Sequence, residues 1–441
     1  MKKNDVVTVT CDEVSLEGYG IVKPEGFVVF VRGLWKGDTA RIIITRIEKR
    51  YGYGKILEMI QPSDAHIEDG CAGYPRCGGC SFRGIRYKDE LAWKEQKVRE
   101  CLKERISDGA VFEPAAGSLK TDRYRNKLQA PVSYADGKLS WGFYRVHSHD
   151  LIKLEDCLIE DETAVHLVNA LCDELSDDAY GTYLRHILIR HGEVSGEYMI
   201  VLVSKVIELP GLAQKMESFI QRHPEVKSVI LNHNPDDTNV ILGKEDIRIA
   251  GNDVIRDTLK DLSFEISAHS FYQVNPLQCV NLYDEAKNFA GLTGKETVID
   301  LYCGTGTITM WMADQAKEVI GIEIVKSAVT NAIQSAKKNG IGNVRFLCED
   351  AGKGAEILRK EGKKADVVIV DPPRKGMDER SKENVLSFEP DRIVYVSCNP
   401  MTLARDLEWF DKHGYKTARI RPYDMFPRTP HVECVTLMTK K

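Results

Sequence analysis

The stretch "VIDLYCGTGTITM", Val298 to Met310, decides the fold. Val298, Ile299 and Leu301 form a short apolar run that ends on Gly304 and Gly306, and a helical pattern follows. Strand, glycine turn and helix make the opening of a βαβ unit, where backbone N–H groups at a helix N-terminus approach a ligand. Gly304 is the candidate for that close approach. A lone G-x-G is a weak signal. The third glycine of the dinucleotide fingerprint is absent, and Thr307 and Ile308 follow instead, which disfavours a nicotinamide dinucleotide.

Outward from this turn, strands and helices alternate from about residue 270 onward: "ETVIDLY", "KEVIGIEI", "NVRFLCED", "ADVVIVDPP", "RIVYVSCNP" and "HVECVTLMTK". That alternation predicts a doubly wound α/β sheet, whose ligands bind at the carboxyl edge of the strands. Glu323 ends the second strand about twenty residues past the glycines, where a carboxylate accepts both hydroxyls of a ribose. Asp350 ends the third, with helix capping as its competing role. Asp371 ends the fourth and is followed by two prolines, which hold an extended turn and aim the carboxylate. Acidic strand ends of this kind resemble the S-adenosylmethionine site of class I methyltransferases. Arg374 stands where the related turns of amine methyltransferases carry an aromatic ring, so amine methylation is disfavoured. Cys398 closes the next strand in "VYVSCNPMTLARDL", and Glu433 in "RTPHVECVTLM" reaches the same edge if the last strand is inserted antiparallel.

The ordered set "SFYQVNP", "DLYCGTGT", "GIEI", "DPPRKG", "SCNPMTLARD" and "HVECV" resembles the RNA uracil-C5 methyltransferases across the whole C-terminal half. The resemblance implies S-adenosylmethionine as methyl donor, Cys398 as the nucleophile that adds to C6 of uracil, and Glu433 as the base that removes the C5 proton. It further implies that Gln273, Tyr302, Glu323 and Asp371 surround the donor or the base, with Phe271, Asn275 and Arg374 as second-rank candidates. Cys434 departs from the threonine common in the family.

Residues 1–62 read as short glycine-punctuated strands and resemble a TRAM domain, an OB-like barrel of RNA-modifying enzymes. Lys23, Arg32, Lys36, Arg41, Arg46, Lys49, Arg50 and Lys55 are interleaved there with Tyr19, Phe27, Phe30, Tyr51 and Tyr53. Cations for phosphates and rings for bases suit single-stranded RNA. Residues 63–265 read as a central α+β domain, with an amphipathic helix near 88–107 that packs on the catalytic domain, helices near 162–176 and 211–222, and a hairpin in "YLRHILIRHGEVSGEYMIVLVSK". Residues 266–441 form the Rossmann-like methyltransferase domain. "TDRYRNKLQAPVSY" and "WGFYRVHSHD" gather Arg123, Arg125, Lys127 and Arg145 with Tyr124, Trp141, Phe143 and Tyr144, a second candidate RNA surface.

"GCAGYPRCGGCSF" supplies Cys71, Cys77 and Cys80, and Cys157 is a distant fourth, with Cys101 and Cys172 as rivals. Four thiolates hold either an iron–sulfur cluster or zinc. The resemblance implies a [4Fe-4S] cluster, which rRNA members with a TRAM segment carry on C-x5-C-G-G-C plus a later cysteine; Leu158 replaces the usual proline after it. That subgroup implies 23S rRNA as substrate, with tRNA or a non-catalytic RNA-binding role as alternatives. His147, His149, His186 and His191 have no metal-ligand spacing.

A chain of 441 residues with a net charge of −5 is not uniformly basic, so RNA contacts come from local patches. Twelve cysteines in such a length do not form a disulfide scaffold. No apolar run spans a bilayer, and the beginning lacks a long apolar segment, so the expectation is a cytoplasmic protein with no membrane contact and no obligate protein partner.

Overall fold

The structure, a computed structural model, describes residues 1–106, 108–176 and 180–441. The N-terminal strands are β1 (Val6–Thr10), β2 (Glu13–Val14), β3 (Gly20–Val22), β4 (Val28–Val31), β5 (Thr39–Ile47) and β6 (Tyr51–Gln61). They form one sheet in the order β1-β5-β6-β4-β3-β2, curled around Val22, Val29, Val31, Ile42 and Ile44. Alternate residues of β5 turn inward, the period-two pattern of a half-buried strand. This is the OB-like barrel expected from the glycine-punctuated sequence.

Helix α1 (Tyr87–Leu102) follows; its expected end near residue 107 lies outside the described residues. It packs on the C-terminal domain, with Val98 and Leu102 in that domain's core. Strand β7 (Val111–Phe112) joins the C-terminal sheet.

The central domain holds β8 (Lys127–Ala135), β9 (Lys138–Tyr144), β10 (Leu151–Lys153), α2 (Glu162–Glu174), β11 (Leu184–His191), β12 (Tyr198–Ser204), α3 (Leu212–Arg222), β13 (Val226–His233) and β14 (Glu245–Gly251). Its sheet runs β10-β9-β8-β11-β12-β13-β14. The expected hairpin is β11 against β12. Helices α2 and α3 cover one face through Val168, Leu171, Met216 and Phe219. The hairpin β15 (Ile255–Leu259) and β16 (Leu262–Ile266) covers part of the other through Ile255 and Ile266.

The C-terminal half contains α4 (Pro276–Ala290), β17 (Thr297–Leu301), α5 (Thr307–Met312), β18 (Glu318–Glu323), α6 (Lys326–Lys338), β19 (Val344–Cys348), α7 (Ala351–Lys360), β20 (Val367–Val370), α8 (Glu379–Ser387), β21 (Arg392–Ser397), α9 (Pro400–Lys412), β22 (Tyr415–Tyr423) and β23 (Glu433–Lys440). The sheet order is β19-β18-β17-β20-β21-β23-β22-β7, the doubly wound arrangement expected. The first five strands pair in parallel, and β17, β20 and β21 are buried on both faces, hence their largely apolar sequences, unbroken Val/Ile in β20 and interrupted by Asp300 in β17. Strand β23 is inserted antiparallel between β21 and β22. Its register ends with Ser397 opposite Cys434, so Cys398 and Glu433 are the adjoining residues at that edge of the sheet.

Among the described residues no helix is long and apolar enough to cross a membrane.

Candidate active site

A single cavity of about 1070 Å³ opens at the carboxyl edge of the C-terminal sheet. Its wall includes Cys398, Glu433, Asp371, Gln273, Tyr302, Glu323 and Asp350, so seven expected site residues from separate segments converge on one space.

Gly304, the other expected donor residue, is not on the cavity wall; the glycine turn meets the wall through Tyr302 and Glu323. Gly304 has φ +55° and open space where a side chain would project, and Gly306 has φ +78° with the Phe346 ring 2.7 Å from a would-be Cβ. Both have the positive φ that favours glycine, and Gly306 also needs it for close packing. Gly304 N–H donates to Glu323 Oε2 at 3.1 Å and Val325 N–H to its Oε1 at 2.9 Å, which fixes the carboxylate at the strand end. Gly304 and its neighbour Tyr302, at φ +66°, hold the strained backbone that clusters at functional turns. Asp350 caps α7, its Oδ1 accepting from Gly352 and Lys353 N–H, and the residue also lines the cavity. Gln273 is held through its carbonyl by Asn126 Nδ2 at 2.9 Å, and Asn126 N–H donates to Val274 O. Asn126, 3 % exposed, thereby ties the central domain to the cavity wall. Sequence reading passed over it, because a single buried asparagine gives no local pattern.

The Asp371, Cys398 and Glu433 segments meet on the cavity wall. Asp406 Oδ2 accepts from Met377 N–H and from the Tyr395 hydroxyl, each at 2.8 Å, which anchors the turn after Pro373 to α9. Asn399 Nδ2 and the Thr402 hydroxyl donate to Arg374 O. These bonds make the two turns one rigid unit. Burial, then the charge of Asp371, pushes the Glu433 carboxyl up to about 8. Burial alone raises Asp371 to about 7. Burial, then Glu433 and Asp371, pushes the Cys398 thiol up to about 11, while Arg374 acts against both carboxylate-driven shifts. Three groups whose charged forms are penalised thus share one cavity, with Arg374 as the cation that acts on Cys398 and Glu433. The guanidinium of Arg374 meets His431 Nδ1 at 3.1 Å, and burial followed by that cation drives the imidazole down to about 4, so His431 accepts as the neutral ring. His431 is a cavity residue that sequence reading did not single out.

Other expectations are corrected. Asn275 does not reach the cavity wall: it is 1 % exposed, caps α4, and donates to Met425 O and the Ser118 hydroxyl. Phe271 lines the mouth and is 71 % exposed. Of the second candidate RNA surface, Tyr124 and Trp141 belong to the central core, bonded to Pro427 O and Asn169 Oδ1. Arg123 and Arg125 are engaged by Asp156 and Glu160. Trp141 faces inward on β9 and Tyr124 is buried just ahead of β8, positions that the interleaved charges disguised. On the barrel, Tyr19, Phe30, Tyr51 and Tyr53 form a chain of ring contacts that Tyr53 and the Tyr19 hydroxyl extend to His147.

Cys71, Cys77, Cys80 and Cys157 all line a second cavity of about 120 Å³, which neither Cys101 nor Cys172 touches. Among the described residues no three metal-binding side chains converge on a point fit for a single ion. The thiols are instead spread around a space, and burial raises Cys77 and pushes Cys80 up to about 12. Cations surround them: Arg32 Nη2 donates to Cys77 O and Cys80 O with its Nε left unpartnered, Arg83 and Arg125 act on Cys80, and Arg125 also lines the cavity. Four thiols around a void, with Arg32, Arg83 and Arg125 close by and the Glu160 carboxylate on the same wall, are the soft donors that a cluster would need.

Residues 86–441 match the tRNA (uracil-5-)-methyltransferase family, and residues 2–57 match the TRAM domain. An uncharacterized RNA methyltransferase from Halalkalibacterium halodurans is 42% identical, covering 100% of this chain and 98% of the relative. Another from Clostridium tetani is 39% identical over 100% of this chain and 97% of its own length. In fold, the chain is similar to a Pyrococcus abyssi tRNA (uracil-54, C5)-methyltransferase solved with S-adenosyl-L-homocysteine, at a TM-score of 0.79 and 24% identity over 98% of this chain and 99% of that one.

Proposed function

The chain belongs to the tRNA (uracil-5-)-methyltransferase family and carries a TRAM domain, and from that premise we propose that it methylates C5 of a uridine in 23S rRNA, with Cys398 as nucleophile and Glu433 as base. The observation that carries this reading is the antiparallel β21–β23 register, which brings Cys398 and Glu433 to one cavity with Glu323, Tyr302 and Gln273. The methyl donor, S-adenosylmethionine, supplies an electrophilic methyl group when bound. Glu323 holds its ribose hydroxyls, and Tyr302 and Gln273 flank it.

The chain's own groups do the rest. C5 of uracil is a poor nucleophile until C6 is attacked. The Cys398 thiol gives its proton to Asp371, and Sγ bonds to C6, placing an enolate across the ring. Neutralising Asp371 also relieves the repulsion on Glu433, which then gives its proton to solvent through the open cavity, the one proton that the overall methylation releases. After C5 takes the methyl group, Glu433 removes the C5 proton, the C6–S bond breaks, and the leaving thiolate recovers its proton from Asp371. Arg374 steadies the anionic stages. The cysteine pocket carries a [4Fe-4S] cluster on Cys71, Cys77, Cys80 and Cys157, outside the reacting centre, with a structural role in holding the RNA-facing hairpin β9–β10. Support comes from its chemistry and from Gly78 N–H, which donates to Tyr144 O on that hairpin.

The choice of 23S rRNA rests on the joint presence of barrel and cysteine pocket. A tRNA uridine, the substrate in the family's own description, is the second reading. Mapping 5-methyluridine in total RNA from a deletion strain tests both: loss of a 23S rRNA site is expected, loss confined to tRNA installs the second reading, and persistence of every site overturns the assignment.

A further inference from the structure

Strands β8 and β11 lie antiparallel, with Lys127 directly opposite Arg190 and Gln129 opposite Leu188. All four side chains line the large cavity, while the alternate residues Leu128 and Ile189 enter the central core. Like charges directly opposite on a ladder repel. Here the repulsion is strong, because Arg190 is 4 % exposed and Lys127 is half-buried.

The protein provides little to offset it. Arg190 Nη1 donates to two neutral carbonyls, Ser267 O at 2.7 Å and Ala268 O at 3.1 Å. Burial, then Arg190 and Arg125, pushes the Lys127 ammonium down to about 8. Glu160, whose charge favours Lys127, is itself engaged by Arg125 at 3.0 Å. Among the described residues no ion pair is formed by Lys127 or Arg190. A buried pair of cations is costly unless a ligand brings the counter-charge.

Two anions could enter this cavity: the donor's carboxylate and an RNA phosphate. Tyr302, Glu323 and Asp350 follow β17, β18 and β19 of the C-terminal sheet, whereas the cations stand on the sheet of the other domain. The space of about 1070 Å³ lies above the usual small-molecule range of about 300–1,000 Å³, which leaves room for nucleotide beside donor. We propose that Lys127 and Arg190, with Gln129 beside them, form a subsite for a backbone phosphate of the RNA next to the uridine presented to Cys398. This subsite rests on the RNA reading above and adds a recognition element from the central domain.

The test compares wild type, Lys127→Met and Lys127→Arg in filter binding to unmodified 23S rRNA transcript over a range of KCl, with S-adenosylhomocysteine affinity measured alongside by calorimetry. Lys127→Met is expected to weaken RNA binding several-fold and to lower the slope of log Kd against log salt by about 1. Lys127→Arg restores both, and S-adenosylhomocysteine affinity stays at the wild-type value, which also reports a folded site. An unchanged salt slope in Lys127→Met overturns the subsite. So does a loss of S-adenosylhomocysteine affinity without change in the RNA slope, because the anion is then the donor's carboxylate. Wild-type RNA binding that ignores salt overturns the RNA reading itself.

Discussion

Glu433 holds its proton well above the usual carboxylate range because water is excluded and Asp371 stands close by. Its folded value of about 8 exceeds the ordinary 4.5, so between those limits the folded chain keeps a proton that the unfolded chain has lost. Its contribution to stability is therefore full at the acid end of that window and is lost as pH rises through it. Glu433→Gln removes this cost: thermal melting should depend less steeply on pH across the window, and the variant should melt higher than wild type near pH 8. The same variant should turn over about 10²–10⁴-fold more slowly and accumulate a covalent adduct with natural RNA, since the C5 proton stays on; denaturing gels read this directly. The pairing of Cys398 with Glu433 was legible in the sequence, because strand ends and a terminal strand that pairs antiparallel specify a shared edge. Asn126 and His431 were not, since each acts through a partner more than fifty residues away.

Helix α1 works at the scale of an element. Lys94 is fully buried, and its Nζ donates to Glu90 Oε1 at 2.8 Å, Asp424 Oδ1 at 2.7 Å and Phe426 O at 3.2 Å. Arg428 N–H donates to Glu90, and the Tyr87 hydroxyl to Asp424. The helix thus clamps the loop that leads from β22 to Glu433. Lys94→Met takes the shared cation from two buried carboxylates, leaving Glu90 only Arg428 at 3.7 Å, and a loss of about 3–5 kcal/mol is expected from denaturant unfolding. The sequence showed α1 as an amphipathic helix, but its apolar stripe said nothing of a charged pair on the buried side. Strand β22 was missed for a related reason: Lys416, Arg419, Arg421 and Pro422 break the apolar run of a strand paired with both β23 and β7. Gly306→Ala should fail at the donor site instead, because the added methyl meets the Phe346 ring and the backbone must keep a positive φ; weaker S-adenosylhomocysteine binding by calorimetry is the expected outcome.

Across the whole molecule, the cavity is a joint product: the C-terminal sheet supplies the reacting groups and the central sheet supplies Lys127, Gln129 and Arg190. The doubly wound sheet and the barrel were legible because each follows from local periodicity. The seam between domains was not, because it depends on which faces of two sheets meet. The cysteine pocket also spans distant segments, and protein purified without oxygen should carry iron and sulfide, absorb visible light, and melt lower after iron chelation; zinc alone would contradict the cluster. The central claim is that Cys398 bonds to the pyrimidine ring, and trapping on RNA containing 5-fluorouridine tests it most directly, since fluorine at C5 blocks the proton removal that releases the enzyme. With donor present, the wild-type chain should migrate as a stable protein–RNA adduct and Cys398→Ala, still binding S-adenosylhomocysteine, should form none. An adduct that survives in Cys398→Ala, or no adduct in the wild type while 5-methyluridine is being made, would contradict the account.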